Sequence, residues 1–216
     1  LEKDNIKNII DNSNSDYIVF IGKDIELMPF TLYELVKSIE YRDSILIYSD
    51  NDKMINGQRI KPHFKPGFAR DTIISQNYIG RFIAVKTTFL KIHKEMLENL
   101  NKDIIYDILL QVSEKTRKIE HIQKILYHET EENMNIDIAD EKKIIEKHLK
   151  RMNLEYDNIQ DGRFKGQYKI NYKIKGNPLI SLVIPNMDHI EDLDKLLKSL
   201  EKSTYSNYEA IIVENN

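Results

Sequence analysis

The sequence predicts an α/β fold, a mixed sheet with flanking helices. Three observations carry that prediction. Short continuous apolar runs of strand length alternate along the chain with segments whose apolar residues recur at helical spacing. One dipeptide, Asn56-Gly57, stands between two strand-like flanks as a two-residue hairpin turn would. A balance of 31% charged and 41% hydrophobic residues over 216 positions, with 7 Gly and 5 Pro, suits a packed core in one or two domains and not a disordered or fibrous chain.

Taken in order, Tyr17 to Ile21 is an apolar run of the kind buried inside a sheet. Pro29 then opens a helix carrying Leu32, Leu35, Val36 and Ile39, with the proline near the first turn. Ser44 to Tyr48 is a second buried strand, and Lys53-Met54-Ile55 with Gln58-Arg59-Ile60 flank the Asn56-Gly57 turn. Phe82 to Val85 is a strand leading into a helix over roughly Thr88 to Leu100. A further helix places Ile104, Ile105, Ile108, Leu109 and Val112 on one face. A strand follows at Ile119 to Tyr127, and the polar break Glu129 to Asn133 marks a domain edge.

Asp140 to Met152 reads as a helix, and Tyr168 to Ile174 alternates as a half-exposed strand does. These two form a connector. Gly176-Asn177-Pro178 introduces a strand at 179–184, a helix with Leu193, Leu196, Leu197 and Leu200, and a strand at 209–213, the opening of a β-α-β unit.

Composition excludes several functions. Lys and Arg total 32 against 35 Asp and Glu, a formal charge of −3, so a general nucleic-acid-binding surface is not expected. With 0 Cys there is no disulfide, no thiolate zinc site and no cysteine nucleophile. Apolar runs such as Leu179 to Ile184 fall far short of the ~20 residues that span a bilayer. The chain starts at Leu1 and stops just after an apolar run, which reads as a piece excised from something longer.

The ordered string from Pro178, PLISLVIPNMDHIEDLDKLLKSLEKSTYSNYEAIIVENN, resembles the start of a glycosyltransferase family 2 catalytic domain of the GT-A fold. The resemblance implies that Pro185 and Asn186, on the first strand's exit, and Glu214, after the second strand, hold the nucleotide of a nucleotide sugar. Ligands of open α/β sheets do bind outside the carboxyl ends of strands. Earlier strings, DYIVFIGKDIELMP from Asp16, ILIYSDNDKM from Ile45, FKPGFARDTIISQNYIG from Phe64, then YDILLQVSE and HIQKILYH, resemble the second half of such a domain. The order is reversed. A window across two tandem domains follows, with residues 1–130 the rear part of one, 131–176 the connector, and 177–216 the front of the next, each an incomplete Rossmann-like sheet.

Further site residues follow from the same resemblance. Family members carry Asp-x-Asp-Asp after the strand, and the two carboxylates hold a divalent cation, Mn2+ or Mg2+, against the donor diphosphate. Here the string is Ile21-Gly22-Lys23-Asp24, so only Asp24 remains of the pair. The family's catalytic base aligns with Ile105, which accepts no proton. Asp107, one helical step away, is either its substitute or a solvated residue on the polar face.

Asp50 and Asp52 stand where the resemblance places a cation ligand or acceptor contact, or else sit in the polar turn before the hairpin. His128 stands where some GT-A enzymes have a metal-facing histidine, or is a hydrogen-bonded surface group. Asn77 belongs to the acceptor-side loop or to an ordinary Asn/Gly turn. Lys61, Lys65, Arg70 and Arg81 attract diphosphate or are solvated surface charges.

Three functions are consistent with these residues. One is a cytoplasmic enzyme transferring sugar from a nucleotide-sugar donor to a cell-surface polysaccharide or glycan acceptor. A second is a non-catalytic glycan-binding or supporting module. The third is a scaffold that self-associates through its incomplete sheets.

Overall fold

The computed structural model describes residues 3–23, 25–130 and 138–214. The chain divides into two units, Leu1–Tyr172 and Lys173–Asn216.

The first unit is built on a 6-stranded mixed sheet. Helix α1 (Lys3–Asn12) precedes β1 (Tyr17–Ile21) and the short β2 (Ile25–Leu27), and α2 (Thr31–Tyr41) leads to β3 (Leu46–Ile55) and β4 (Gln58–His63). Then come α3 (Arg70–Ser75), β5 (Phe82–Lys86), α4 (Thr87–Ile92) and a 3-10 helix at Lys94–Leu97. Helix α5 (Ile104–Lys115) and β6 (Ile119–Thr130) follow. The strand order is β1-β5-β3-β6-β2, with β4 paired to β3. The β3/β6 pair is parallel, and the β1/β5, β3/β5, β2/β6 and β3/β4 pairs are antiparallel. The predicted mixed α/β architecture is therefore the observed one.

Both faces of the sheet are covered. Leu46 and Tyr48 of β3 join one apolar cluster with Ile83 and Val85 of β5 and with Ile108, Leu109 and Val112 of α5. Ile47, between them, joins a second cluster with Phe82, Ala84, Tyr127 and Leu35 of α2. This is the two-residue period of a strand buried on both sides. The predicted hairpin is present. Ile55 pairs with Gln58, and Asn56 and Gly57 have φ of 50° and 75°, the left-handed values a two-residue turn requires.

Several expectations differ from the structure. The helix expected over Thr88 to Leu100 is broken at His93 (φ −107°, ψ 49°) into α4 and the 3-10 segment. Strand β3 continues seven residues past Tyr48, to Ile55, so Asp50 and Asp52 lie in a strand and not in a polar turn. Residues expected to form a connector pack with the first unit. Helix α6 (Ile138–Arg151) and the hairpin of β7 (Tyr156–Asp161) with β8 (Tyr168–Tyr172) place Ile144, Ile145, Leu149 and Tyr168 in its main core.

The second unit contains β9 (Ile180–Asn186), α7 (Ile190–Leu200) and β10 (Tyr208–Glu214). The two strands run parallel, in register from Ile180 opposite Tyr208 to Asn186 opposite Glu214. This is the β-α-β opening expected from the sequence.

Candidate functional site

A cleft of about 980 Å³ opens beside β1 in the first unit. Its apolar wall is Ile6, Ile9 and Ile10 of α1 with Ile18 to Ile21 of β1. Gly22 and Lys23 continue that wall past the carboxyl end of the strand, where ligands of open α/β sheets gather. The polar wall has four sources. Asn51 and Lys53 come from β3 and Lys61 and His63 from β4. The loop Gln76 to Arg81 adds Asn77, Gly80 and Arg81, and the start of α5 brings Lys102, Asp103 and Ile105. Glu129 of β6, Asp140 and Glu141 of α6, and Lys165 complete the rim.

The loop before β5 is held rigidly. Asn77 Oδ1 accepts a bond from the Gly80 amide at 3.1 Å, closing the turn. Gly80 has φ +81°, and a Cβ there would meet Tyr127 Oη at 3.0 Å, so the position suits glycine on both counts. Beneath it, Lys65 is only 6% exposed. Its Nζ donates to the Ile79 carbonyl at 2.7 Å and to Tyr127 Oη at 2.8 Å. Burial pulls the Lys65 amine down to about 7, against the opposing pull of Glu129 and Asp50. Lys65 is thus an internal clamp and not a solvated surface charge. His63 is also held below its usual value, by burial and then by the Lys65 charge.

At the opposite end, Asp103 caps α5 by accepting from the Tyr106 amide at 3.1 Å. Asp140 accepts the amides of Lys102 at 3.2 Å and Asp103 at 2.8 Å. Glu141 accepts a bond from Tyr168 Oη at 2.6 Å. Burial raises the carboxyls of both Asp103 and Glu141 above the ordinary range. These three carboxyls were not singled out from the sequence. The signals available were a capping Asp before an apolar helical run and acids in the first turn of α6.

Most of the sequence-predicted site residues lie elsewhere. Asp107 is neither a cleft base nor a solvated residue. It is 1% exposed, and its carboxylate accepts from Asn101 N at 2.8 Å, Asn101 Nδ2 at 2.8 Å and Gln111 Nε2 at 3.0 Å. Asp50 and Asp52 are each 3% exposed and are not among the residues lining the cleft. Asp50 lies 2.7 Å from His121 Nε2 and accepts the Lys65 amide at 2.8 Å. His121 in turn stacks on Tyr48.

Asp52 is paired with His128 and with Arg59, whose Nε is 2.8 Å away. His128 is accordingly a buried partner, 4% exposed, and not a surface group. A register irregularity in the β3/β6 ladder falls on both sides of Asp50. Beyond it Asn51 and Lys53 reach the cleft and Asp52 does not.

Asn77 and Ile105 do line the cleft. Arg70 does not, and its guanidinium bonds the Ser113 carbonyl. Asp24 lies outside the described residues. In the second unit Asn186 and Glu214 are brought together, Asn186 Nδ2 donating to Glu214 Oε1 at 2.7 Å, with Pro185 next to them on β9.

The described residues do not fit the divalent cation that the family resemblance implies. A Cβ at Gly22 would stand 2.9 Å from Arg81 Cβ and 3.0 Å from Arg81 Cδ, so no carboxylate fits the first ligand position without displacing that side chain. Lys23 follows, and among the described residues no group of three or more His, Asp or Glu is placed to hold a metal ion. Among the described residues no helix is long and apolar enough to cross a membrane.

No family model matches the chain. It is 30% identical over 220 residues to uncharacterized protein y4gI of Sinorhizobium fredii, an alignment covering 95% of this chain and 24% of that protein. It is 28% identical over 213 residues to O-antigen biosynthesis protein RfbC of Myxococcus xanthus, covering 93% of this chain and 16% of that protein. The chain therefore spans a quarter or less of the length of these curated relatives. Glucosyl-3-phosphoglycerate synthase from Mycobacterium tuberculosis, solved in complex with phosphoglyceric acid, superposes with a TM-score of 0.44 at 13% identity over 78% of this chain and 61% of that one.

Proposed function

We propose that the chain is part of a glycosyltransferase of GT-A architecture that moves a sugar from a nucleotide-sugar donor to a glycan or cell-surface polysaccharide acceptor. In this reading the first unit is the acceptor-side and diphosphate-side portion of one transferase domain. The second unit opens another, with Pro185, Asn186 and Glu214 at the nucleotide. The observation that carries it is the cleft at the carboxyl end of β1, where cations and carboxyls converge on an apolar wall in the place the motif resemblance expects chemistry. The relative named for O-antigen biosynthesis points to a polysaccharide acceptor.

Transfer needs a group that takes the proton of the acceptor hydroxyl as the new glycosidic bond forms. Ile105 cannot do so, and Asp107 has its oxygens committed to Asn101 and Gln111. Asp103 is the carboxyl best placed to replace them. It lines the cleft two residues before Ile105, and burial raises its carboxyl above the usual carboxylate range, which makes it a stronger proton acceptor than an exposed aspartate. The altered Gly22 and Ile105 positions favour a second reading, a module that binds glycan without turning it over.

Thermal unfolding of the chain separates the two, because a ligand of the native state raises the melting temperature by mass action. A donor-binding protein responds to nucleoside diphosphates and nucleotide sugars, and a glycan module responds only to oligosaccharides. No response to either class refutes both readings.

A further inference from the structure

The disagreement at Gly22 has a physical content of its own. The Gly22 amide donates to the Arg81 carbonyl at 2.9 Å, which ties the exit of β1 to the start of β5. Arg81 therefore cannot withdraw to admit a side chain at position 22 without breaking that tie. The space that a metal-binding carboxylate needs is filled by the stem of an arginine. The next residue is Lys23, and it too lines the cleft.

Lys61 lines the same cleft from β4. Its φ of +49° is uncommon for a residue with a side chain, and it precedes Pro62, which restricts the backbone further. Backbone strain of this kind persists where the surroundings over-determine it, and it concentrates at binding sites. Cationic side chains beside an apolar wall attract an anion more strongly than they would in open water, since the wall lowers the local dielectric. A guanidinium matches two phosphate oxygens at once, and an ammonium supplies a compact charge.

We propose that this cleft binds a diphosphate-bearing ligand through Lys23, Lys61 and Arg81, which take over the charge neutralisation that a divalent cation would otherwise supply. The proposal rests on the glycosyltransferase reading only for the identity of the ligand as a nucleoside diphosphate. The site itself stands on Gly22, Arg81 and the lining of the cleft, where Lys23, Lys61 and Arg81 share the rim with Asp103, Glu129, Asp140 and Glu141.

The test is isothermal titration of the whole chain with inorganic pyrophosphate and with uridine diphosphate, in EDTA and again with Mn2+. Pyrophosphate is expected to bind in EDTA, with an affinity that Mn2+ changes by less than about twofold and that falls steeply with salt. Lys61→Gly and Arg81→Gln are each expected to weaken it about tenfold, in line with the loss of one charge-assisted hydrogen bond. Lys61→Gly adopts the left-handed backbone without strain, so its loss of binding is not a loss of folding.

Binding only in the presence of Mn2+, no pyrophosphate binding in either buffer, or unchanged affinity in both variants overturns the proposal. The two readings fail separately. Mn2+-dependent binding of uridine diphosphate sinks the cation-replacement idea and leaves a glycosyltransferase. Metal-independent pyrophosphate binding with no response to any nucleotide sugar keeps the cationic site and removes the donor.

Discussion

Replacing Lys65 with methionine tests the electrostatics beneath the cleft directly. The ammonium is buried, with Nζ bonded to the Ile79 carbonyl and Tyr127 Oη, and its pKa falls from 10.5 to about 7 on folding. The unfolded chain therefore holds this proton up to about pH 10.5 while the folded chain releases it near pH 7. Between those values the unfolded state binds more protons, so stability rises with pH. Below pH 7 both states are charged and the burial penalty is present in full. Above pH 10.5 both are neutral and the penalty has gone.

Integrating the linkage from pH 7 to pH 9 gives roughly 2 kcal/mol in favour of the native state. For a chain of this size that corresponds to roughly 4–8 °C in melting temperature. Methionine keeps the volume and removes the titration, so Lys65→Met loses this contribution while other ionisations still act in both proteins. Thermal or urea unfolding of both proteins at pH 7, 8 and 9 reads the difference. Wild type is expected to gain on the variant steadily across that interval. Two curves that stay parallel would refute the assignment of the buried amine as a group that gives up its proton on folding.

Two further substitutions probe the packing of the site. Gly22→Ala is expected to destabilise the chain by about 1–3 kcal/mol, because the added methyl falls within 2.9 Å of Arg81 Cβ; an unchanged urea midpoint would mean that Arg81 moves aside freely. Asp107→Asn is expected to cost about 2 kcal/mol or more, since an amide NH2 group would replace one acceptor oxygen among the donors of Asn101 and Gln111. A variant with full stability but no transfer activity would instead return Asp107 to the role of a base.

Much of the sheet was legible because Phe82 to Val85 and the start of β3 are apolar runs buried on both faces, and Asn56-Gly57 carries its own turn chemistry. Tyr17 to Ile21 was legible as a strand by the same apolar run, but it stands at the end of the strand order and is half-buried, with Ile21 exposed, instead of lying inside the sheet. Helix α1, with the sequence KDNIKNIIDN, was not legible, nor was β7, YDNIQD, because Asn and Asp favour turns in the absence of tertiary partners. The same bias made Ser49 to Asp52 read as a turn. The buried imidazoles of His121 and His128, both about 70 or more residues away, and the exposed Arg59 hold the aspartates within a strand.

The place of the cleft was legible in the string Ile21-Gly22-Lys23, since it follows a strand's carboxyl end. Its carboxyls were not, because Asp103, Asp140 and Glu141 meet only when α6 packs against α5. Asp107 misled for a related reason. Its helical position marks it as polar, but the donors that bury it lie in the preceding loop and one turn onward.

The register irregularity at Asp50 acts as a selector for what the cleft displays. Downstream of it the pleat offers Asn51 and Lys53 inward and keeps Asp52 in its pairing with His128 and Arg59. Removing one residue at that point would invert the phase of the remaining strand, since side chains alternate with a period of two. An amide and an ammonium would then trade places with a carboxylate, so a single-codon deletion is enough to change the charge that β3 lends to the cleft while Lys23, Lys61 and Arg81 stay where they are.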